Sequence, residues 1–209
     1  MAYLHLELKA VPLDRHTAMI ARLTQLHGLM SQAPGFVDAQ ISRYLGNPTQ
    51  YLITRTWADA AVHAAYRQSD VQKAFAANPA VGLWQNLLVQ EWEDVQAAPG
   101  SSSGGFVVRS LYQLPDGGWE GFLATRRGFD RAALASGGVQ HLKTYRRLDR
   151  SGDGAHEALL LRRWTGRAAY DAYLEHADRA AAVAAAGPDA VQPTVTECYE
   201  LVLEHLPAS

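Results

Sequence analysis

The chain has 209 residues, 48% hydrophobic and 19% charged, so it can bury a core and is not a disordered polymer. Its net charge of −2 argues against a nucleic-acid-binding protein, and its single cysteine, Cys198, excludes an intrachain disulfide. No stretch approaches the roughly 20 apolar residues of a membrane helix, and the amino terminus lacks the apolar core of a signal peptide. We therefore expect a cytoplasmic protein that does not bind membranes.

The first 95 residues predict six elements in the order β-α-β-β-α-β. Leu4, Leu6 and Leu8 alternate with polar residues, which is typical of a strand with one apolar face. Apolar residues then recur at spacings of three and four from Met19 to Ala33, the pattern of an amphipathic helix. The remaining predicted elements are strands at about 37–42, 51–57 and 86–94 and a helical stretch at about 59–77. This order is that of a ferredoxin-like unit.

The second half of the chain repeats the first. Arg55, Trp57 and Tyr66 recur as Arg162, Trp164 and Tyr173, each 107 positions later. A period near 100 residues fits a duplicated small domain rather than a solenoid. We predict repeat one over residues 1–95, a flexible linker over 96–105, which is rich in Pro, Gly and Ser, and repeat two over 106–209. The elements of repeat two are strands at about 106–113, 139–148, 156–163 and 194–204, with helices at about 119–135 and 167–185.

An apolar face of a four-stranded sheet must be covered. We therefore expect an α+β protein whose two repeats pack sheet to sheet within one chain, as an intrachain pseudo-dimer with a dimeric α+β barrel. The residues that line the resulting cavity are expected to face away from the helices. Side-chain alternation places the following residues on that face: Tyr3, His5, Glu7 and Lys9 of the first strand, Asp38, Gln40 and Ser42 of the second, and His141, Lys143 and Tyr145 in repeat two.

Three segments of repeat one carry a family resemblance: Pro34 to Phe36, Tyr51 to Trp57, and Ser69 to Phe75. In these segments the chain resembles the antibiotic biosynthesis monooxygenase family of dimeric α+β barrels. The resemblance implies that fold, and its relatives include cofactor-free oxygenases that deprotonate an acidic phenol or anthrone for reaction with dioxygen. Tyr170, six residues after Trp164, resembles a Tyr of the aromatic-polyketide oxygenases, and His63 matches it in repeat one. The Asn expected four residues before the Trp is absent from both repeats.

The leading functional prediction is cofactor-independent oxygenation of a small aromatic or polyketide-like compound. Either His141 or His5 serves as general base, because an imidazole titrates near neutral pH. Tyr145 and Tyr170 orient the compound or donate a hydrogen bond. Trp57, Trp164, Gln40 and Lys143 are the predicted substrate-binding residues. We expect no metal, because the histidines and the cysteine have no metal-ligand spacing, and the resemblance to cofactor-free oxygenases implies no cofactor.

Two alternatives stay open. The same barrel can serve a non-catalytic protein that binds a small molecule. Haem binding is the weaker alternative, because the iron-binding His implied by the family resemblance falls at Ala76, and its counterpart in repeat two is Val183. Whether a further homodimer forms is also left open.

Overall fold

A computed structural model describes residues 1–77, 82–98, 105–148, 156–187 and 190–207. The chain divides into two compact units, one formed by residues 1–93 with 201–209 and the other by residues 94–200. Both units contain the predicted β-α-β-β-α-β order, and in both the second helix is divided into two. The α+β class and the ferredoxin-like order of elements are confirmed.

The first unit contains four antiparallel strands in the order β2-β3-β1-β4. A 3₁₀ turn, Leu13–Arg15, precedes its first helix. Two side chains cap the amino termini of the shorter helices. The Asp59 carboxylate accepts a hydrogen bond from the Val62 amide at 2.8 Å, and the Ser69 hydroxyl accepts one from the Gln72 amide at 3.2 Å. The elements are β1 (Tyr3–Ala10), α1 (His16–Met30), β2 (Phe36–Tyr44), β3 (Gln50–Trp57), α2 (Ala60–Gln68), α3 (Asp70–Ala76) and β4 (Gln85–Ala98).

The helices of the first unit cover an unexpected face of β1. Tyr3 packs in one cluster with Met19 and Leu23 of α1, and the register places His5 opposite Arg55 on the same face. The prediction that Tyr3, His5, Glu7 and Lys9 face away from the helices is therefore wrong. Leu4 and Leu6, predicted to face the helices, lie on the other face and are also fully buried. Since both faces of β1 are buried, apolar alternation does not show which face meets the helices.

The second unit also has four antiparallel strands, in the order β6-β7-β5-β8. Its first helix is continuous despite Gly121 and Gly128. Strand β4 continues through Gln96 to Ala98, where the linker was predicted to begin, and residues 99–104 lie outside the described residues. The elements are β5 (Phe106–Gln113), α4 (Trp119–Ala135), β6 (Val139–Arg147), β7 (Glu157–Trp164), α5 (Arg167–Glu175), α6 (Ala177–Ala186) and β8 (Val195–His205).

In the second sheet, the two faces of β6 are oriented as predicted. Leu142 packs in one cluster with Ala132 and Ala133 of α4. Since side chains alternate along a strand, His141, Lys143 and Tyr145 lie on the face of β6 away from the helices, as predicted. These three side chains therefore do not line a cavity between the second sheet and its helices.

Candidate active site

A cavity of about 380 Å³ lies between the sheet and the helices of the first unit. Strands β1 and β3 supply its charged floor, and α1, α2 and α3 supply its roof. Its lining includes polar side chains that were expected on the other face of the sheet. The polar lining residues are His5, Glu7, Lys9, Arg55, His63, Tyr66, Arg67, Gln72, Asn86 and Glu91.

Glu7 is the centre of the polar network in this cavity. One carboxylate oxygen lies 3.1 Å from His5 Nε2 and 3.1 Å from Arg55 Nη1, and the other lies 2.7 Å from Lys9 Nζ. Burial raises the pKa of the Glu7 carboxyl, but Arg55, His5 and Lys9 outweigh burial and hold that pKa well below its usual value. Glu7 is therefore ionised at neutral pH, and it compensates cations that are nearly inaccessible to water.

The bond to Glu7 determines the state of the His5 ring. An ionised carboxylate only accepts hydrogen bonds, so His5 Nε2 donates its proton to Glu7. In the neutral imidazole, Nδ1 then carries the lone pair. This atom is buried and has no hydrogen-bond partner among the described residues. His5 is thus an oriented imidazole whose second nitrogen makes no hydrogen bond to the described residues.

His63 lies beside His5 in an aromatic wall. Its ring centroid is 5.2 Å from that of His5, 4.8 Å from that of Tyr3 and 5.6 Å from that of Trp57. Burial lowers the pKa of His63 to about 4, and the neighbouring His5 and Arg67 act in the same direction. His63 is therefore neutral at pH 7 and presents a flat polar ring to the cavity.

Two groups complete the surroundings of Arg55. Arg55 Nε donates a hydrogen bond of 3.2 Å to His27 Nε2, and burial, together with Arg55 and His205, lowers the pKa of His27 to about 2. His27 is therefore a buried, neutral imidazole that accepts a hydrogen bond. The Tyr66 hydroxyl is buried without a hydrogen-bond partner among the described residues, and burial raises its pKa. An unsatisfied phenol donor in a cavity is suited to an anionic ligand.

The second unit has its own cavity, of about 290 Å³, at the corresponding place beneath its helices. Arg162 occupies the position of Arg55, and its Nη2 donates to Asp130 Oδ1 at 3.4 Å. The described lining contains three arginines and no carboxylate; its polar and aromatic members are Ser110, Tyr112, Arg126, Phe129, Arg162, Tyr170, Tyr173, Arg179, Gln192 and Thr196.

The predicted site residues are therefore divided among several places. His5 lines the first cavity and Tyr170 lines the second, whereas His141, Lys143 and Tyr145 line neither of these cavities. The remaining three do not line them either: Gln40 donates to Glu204 at 3.3 Å, and Trp57 and Trp164 are fully buried in the cores beside the cavities.

Sequence reasoning missed several members of the first cavity as functional residues, namely Glu7, Arg55, His63 and Tyr66. Two signals were available. Polar residues occupy every second position of β1, and the arginine at position 55 recurs in the second repeat as Arg162. An arginine that both copies place in mid-strand, on the helix side, is typical of a buried ion pair rather than a surface one.

The comparisons first define a fold. A protein of Fusobacterium nucleatum proposed to be a monooxygenase is 12% identical, with a TM-score of 0.75 over 96% of this chain and 91% of that one. An anthrone oxidase-like protein is 14% identical, with a TM-score of 0.67 over 100% and 94%. A chlorite dismutase mutant from Candidatus Nitrospira defluvii is 9% identical, with a TM-score of 0.62 over 97% and 92%. These TM-scores show a shared fold and confirm the predicted fold class.

The match to a family model covers the first part of the chain. Residues 1–78 match the sequence model of the antibiotic biosynthesis monooxygenase family. The resemblance predicted from the sequence is thereby confirmed for this part of the chain. No curated protein matches the sequence.

Among the described residues, no three side chains of His, Cys, Asp or Glu are grouped so that they could hold a metal ion. None of the helices in the described ranges has the length and hydropathy needed to cross a membrane.

Proposed function

We propose that the first-unit cavity oxygenates a small aromatic or polyketide-like compound that carries an acidic phenol or C–H group, without a bound cofactor. The family match over residues 1–78 supports a monooxygenase-like or small-molecule-binding role. The observation that carries the finer proposal is the Glu7–His5 pair, in which a buried carboxylate orients an imidazole whose second nitrogen has no partner among the described residues.

Each polar group has a role in this proposal. His5 Nδ1 accepts the proton of the substrate, and Glu7 holds the required tautomer and stabilises the imidazolium that forms. Arg55 and Lys9, both buried, lower the energy of the resulting organic anion. The Tyr66 hydroxyl donates a hydrogen bond to the oxygen on which the negative charge develops. His63 and Leu26 form the walls against which an aromatic ring packs.

The reaction balances with dioxygen as the only co-substrate. Loss of a proton from a CH₂ group to His5 leaves a carbanion, which transfers one electron to dioxygen. The radical pair joins through a new C–O bond, and the imidazolium returns its proton to the peroxide. Loss of water then breaks the O–O bond and leaves a carbonyl. The net change is CH₂ + O₂ → C=O + H₂O, with one oxygen atom in the product and one in water.

The test is oxygen uptake by the purified protein with anthrone as the probe, combined with mass spectrometry of the product formed under ¹⁸O₂. We expect one labelled oxygen in the product. Because a positioned general base contributes about 10²–10⁴-fold to such a rate, we expect His5→Ala to slow turnover by that factor. His141→Ala, which alters the other face of the second sheet, is expected to keep the wild-type rate. Equal turnover by wild type and His5→Ala contradicts the proposal, as does a loss confined to His141→Ala.

A further inference from the structure

The second-unit cavity contains a buried cation that forms no ion pair with the described residues. Arg126 of α4 is only 6% exposed, and its Nη1 donates to the Tyr112 hydroxyl at 3.2 Å. Its Nε is buried and has no hydrogen-bond partner among the described residues. Burial lowers the pKa of Arg126, although a guanidinium remains charged at neutral pH. Burial of a charged guanidinium costs free energy unless a negatively charged group pairs with it.

The Asp130 carboxylate on the same helix already has other partners. Asp130 lies one helical turn after Arg126, but Arg162 occupies one of its oxygens and Gln96 Nε2 donates to the other at 3.0 Å. The described cavity lining has three arginines, Arg126, Arg162 and Arg179, and no carboxylate. The cavity therefore has an excess of positive charge that attracts an anion.

The remaining walls are aromatic. The Arg126 guanidinium lies 4.1 Å from the centroid of the Phe129 ring, and the lining also includes Tyr170 and Tyr173, whose ring centroids lie 6.3 Å apart. The volume of about 290 Å³ is at the lower end of the roughly 300–1,000 Å³ of ligand pockets, so the ligand must be small. A planar ring that bears a carboxylate fits both features, because a guanidinium binds a carboxylate and aromatic rings stack.

We propose that the second-unit cavity is a separate binding site for a small aromatic carboxylate, with Arg126 as its anion-binding residue. The site does not carry out the proton transfer of the first cavity. Val108 replaces His5 opposite the arginine of the next strand, and Ser110 replaces Glu7 two residues further on. The ligand pairs with Arg126, while the Arg162–Asp130 pair remains intact.

Isothermal titration calorimetry of the full chain with benzoate, acetate and benzamide tests this site. We expect benzoate to bind at least about tenfold more tightly than benzamide, because a charge-assisted pair with a guanidinium is lost in the amide. Acetate is expected to bind more weakly than benzoate, because it lacks the ring. Equal affinities for the three compounds, or no binding of benzoate, overturn the proposal.

Arg126→Met locates the binding site. We expect about tenfold or greater loss of benzoate affinity, while the thermal midpoint of the ligand-free protein stays equal or rises, since an unpaired buried cation is replaced by an apolar chain. Arg127→Met changes the exposed neighbour on the same helix and is expected to bind benzoate as the wild type does. Unchanged benzoate affinity in Arg126→Met contradicts the site.

His5→Ala separates this proposal from the oxygenase. It is expected to keep wild-type benzoate affinity whether or not the first cavity is catalytic. A large fall in the midpoint of ligand-free Arg126→Met would instead show that Arg126 is structural, and would overturn the proposal.

Discussion

The two cavities share an arginine on the third strand of their sheet but differ in what neutralises it. In the first unit, Arg55 pairs with Glu7 of the adjacent strand and donates to His27 of α1. In the second, Arg162 pairs with Asp130 of α4, the position corresponding to His27. The counter-ion of Arg162 thus comes from the helix, and Ser110 of β5 occupies the position of Glu7. Both units thus contain a buried arginine at this position, and the groups around it differ.

This comparison explains why we assign chemistry to one cavity and binding to the other. The first cavity contains a carboxylate-oriented imidazole and a second neutral imidazole. The corresponding positions of the second cavity are Val108 and Tyr170. Imidazole side chains that can accept a proton are therefore found in the first cavity, whereas the described lining of the second has an excess of fixed positive charge.

The largest expected effect is that of Glu7→Gln. The substitution leaves Lys9 and Arg55 buried without their carboxylate, and breaking a buried pair in this way costs about 3–5 kcal/mol. Urea unfolding at pH 7 measures the resulting loss in the free energy of unfolding. Asp116→Asn is the control, because this fully exposed carboxylate pairs with His156 at the surface and should change the same quantity by less than about 0.5 kcal/mol. A Glu7→Gln protein as stable as the control would show that the network does not stabilise the fold.

The next effect concerns a feature that the two repeats share. Gly35 and Gly138 both have positive φ, near +73°, and an added Cβ would lie 2.7 Å from Val62 Cγ1 and 2.6 Å from Ala169 Cβ, respectively. We expect Gly35→Ala and Gly138→Ala each to lower the free energy of unfolding by about 2–4 kcal/mol, because backbone strain and overpacking add. Gly121→Ala, where nothing lies within 4 Å, is the control and should stabilise its helix. If only one of the two substitutions lowers the free energy of unfolding, the two glycines do not have the same structural role.

Acid should destabilise the fold through the first cavity. The pKa of His63 is lowered from 6.5 to about 4 in the folded protein, so the unfolded chain binds more protons between these values and stability falls as pH falls from about 6.5 to 4. Glu7 extends the loss below its ordinary pKa of 4.5, because its folded pKa is lower still. We expect His63→Gln to remove about 1–3 kcal/mol of the loss between pH 6.5 and 4 in urea unfolding. Tyr170→Gln, the matched change in the second unit, should leave the slope unchanged; equal slopes for wild type and His63→Gln would contradict this account.

The smallest expected effect is that of Tyr66→Phe. Its hydroxyl has no hydrogen-bond partner among the described residues, so its removal should change the free energy of unfolding by less than about 0.5 kcal/mol. Turnover of anthrone is expected to fall by about tenfold, the loss of one hydrogen bond to the developing anion. Tyr51→Phe removes a hydroxyl bound to His16 Nδ1 at 3.3 Å and should keep the wild-type rate. Unchanged turnover in the Tyr66→Phe protein would contradict the proposed hydrogen bond from the Tyr66 hydroxyl to the developing anion.

The sequence predicts the order of elements well and their faces only in part. On β2, Ala39 and Ile41 pack in the core cluster with α1, so the polar residues of that strand face away from the helices as predicted. On β1 the same rule failed, since Leu4 and Leu6 are buried on one face and the ion network of Glu7 is buried on the other. Apolar patterning cannot anticipate a buried face made of mutually compensating charges. The contacts of Arg55 with Glu7 and His27 join residues far apart in sequence and follow only from the register of β1 and β3 and the packing of α1.

The most direct test of the account is an anaerobic spectral titration of anthrone with the wild-type protein and with His5→Ala. Without dioxygen the reaction stops after proton transfer, so the absorbance of the bound anion reports deprotonation alone. We predict that the wild-type cavity generates the anion at a pH at least about one unit below that required in water, and that His5→Ala does not. An anion that forms at the same pH in both proteins would contradict the assignment of His5 as the base and of the first cavity as the catalytic one.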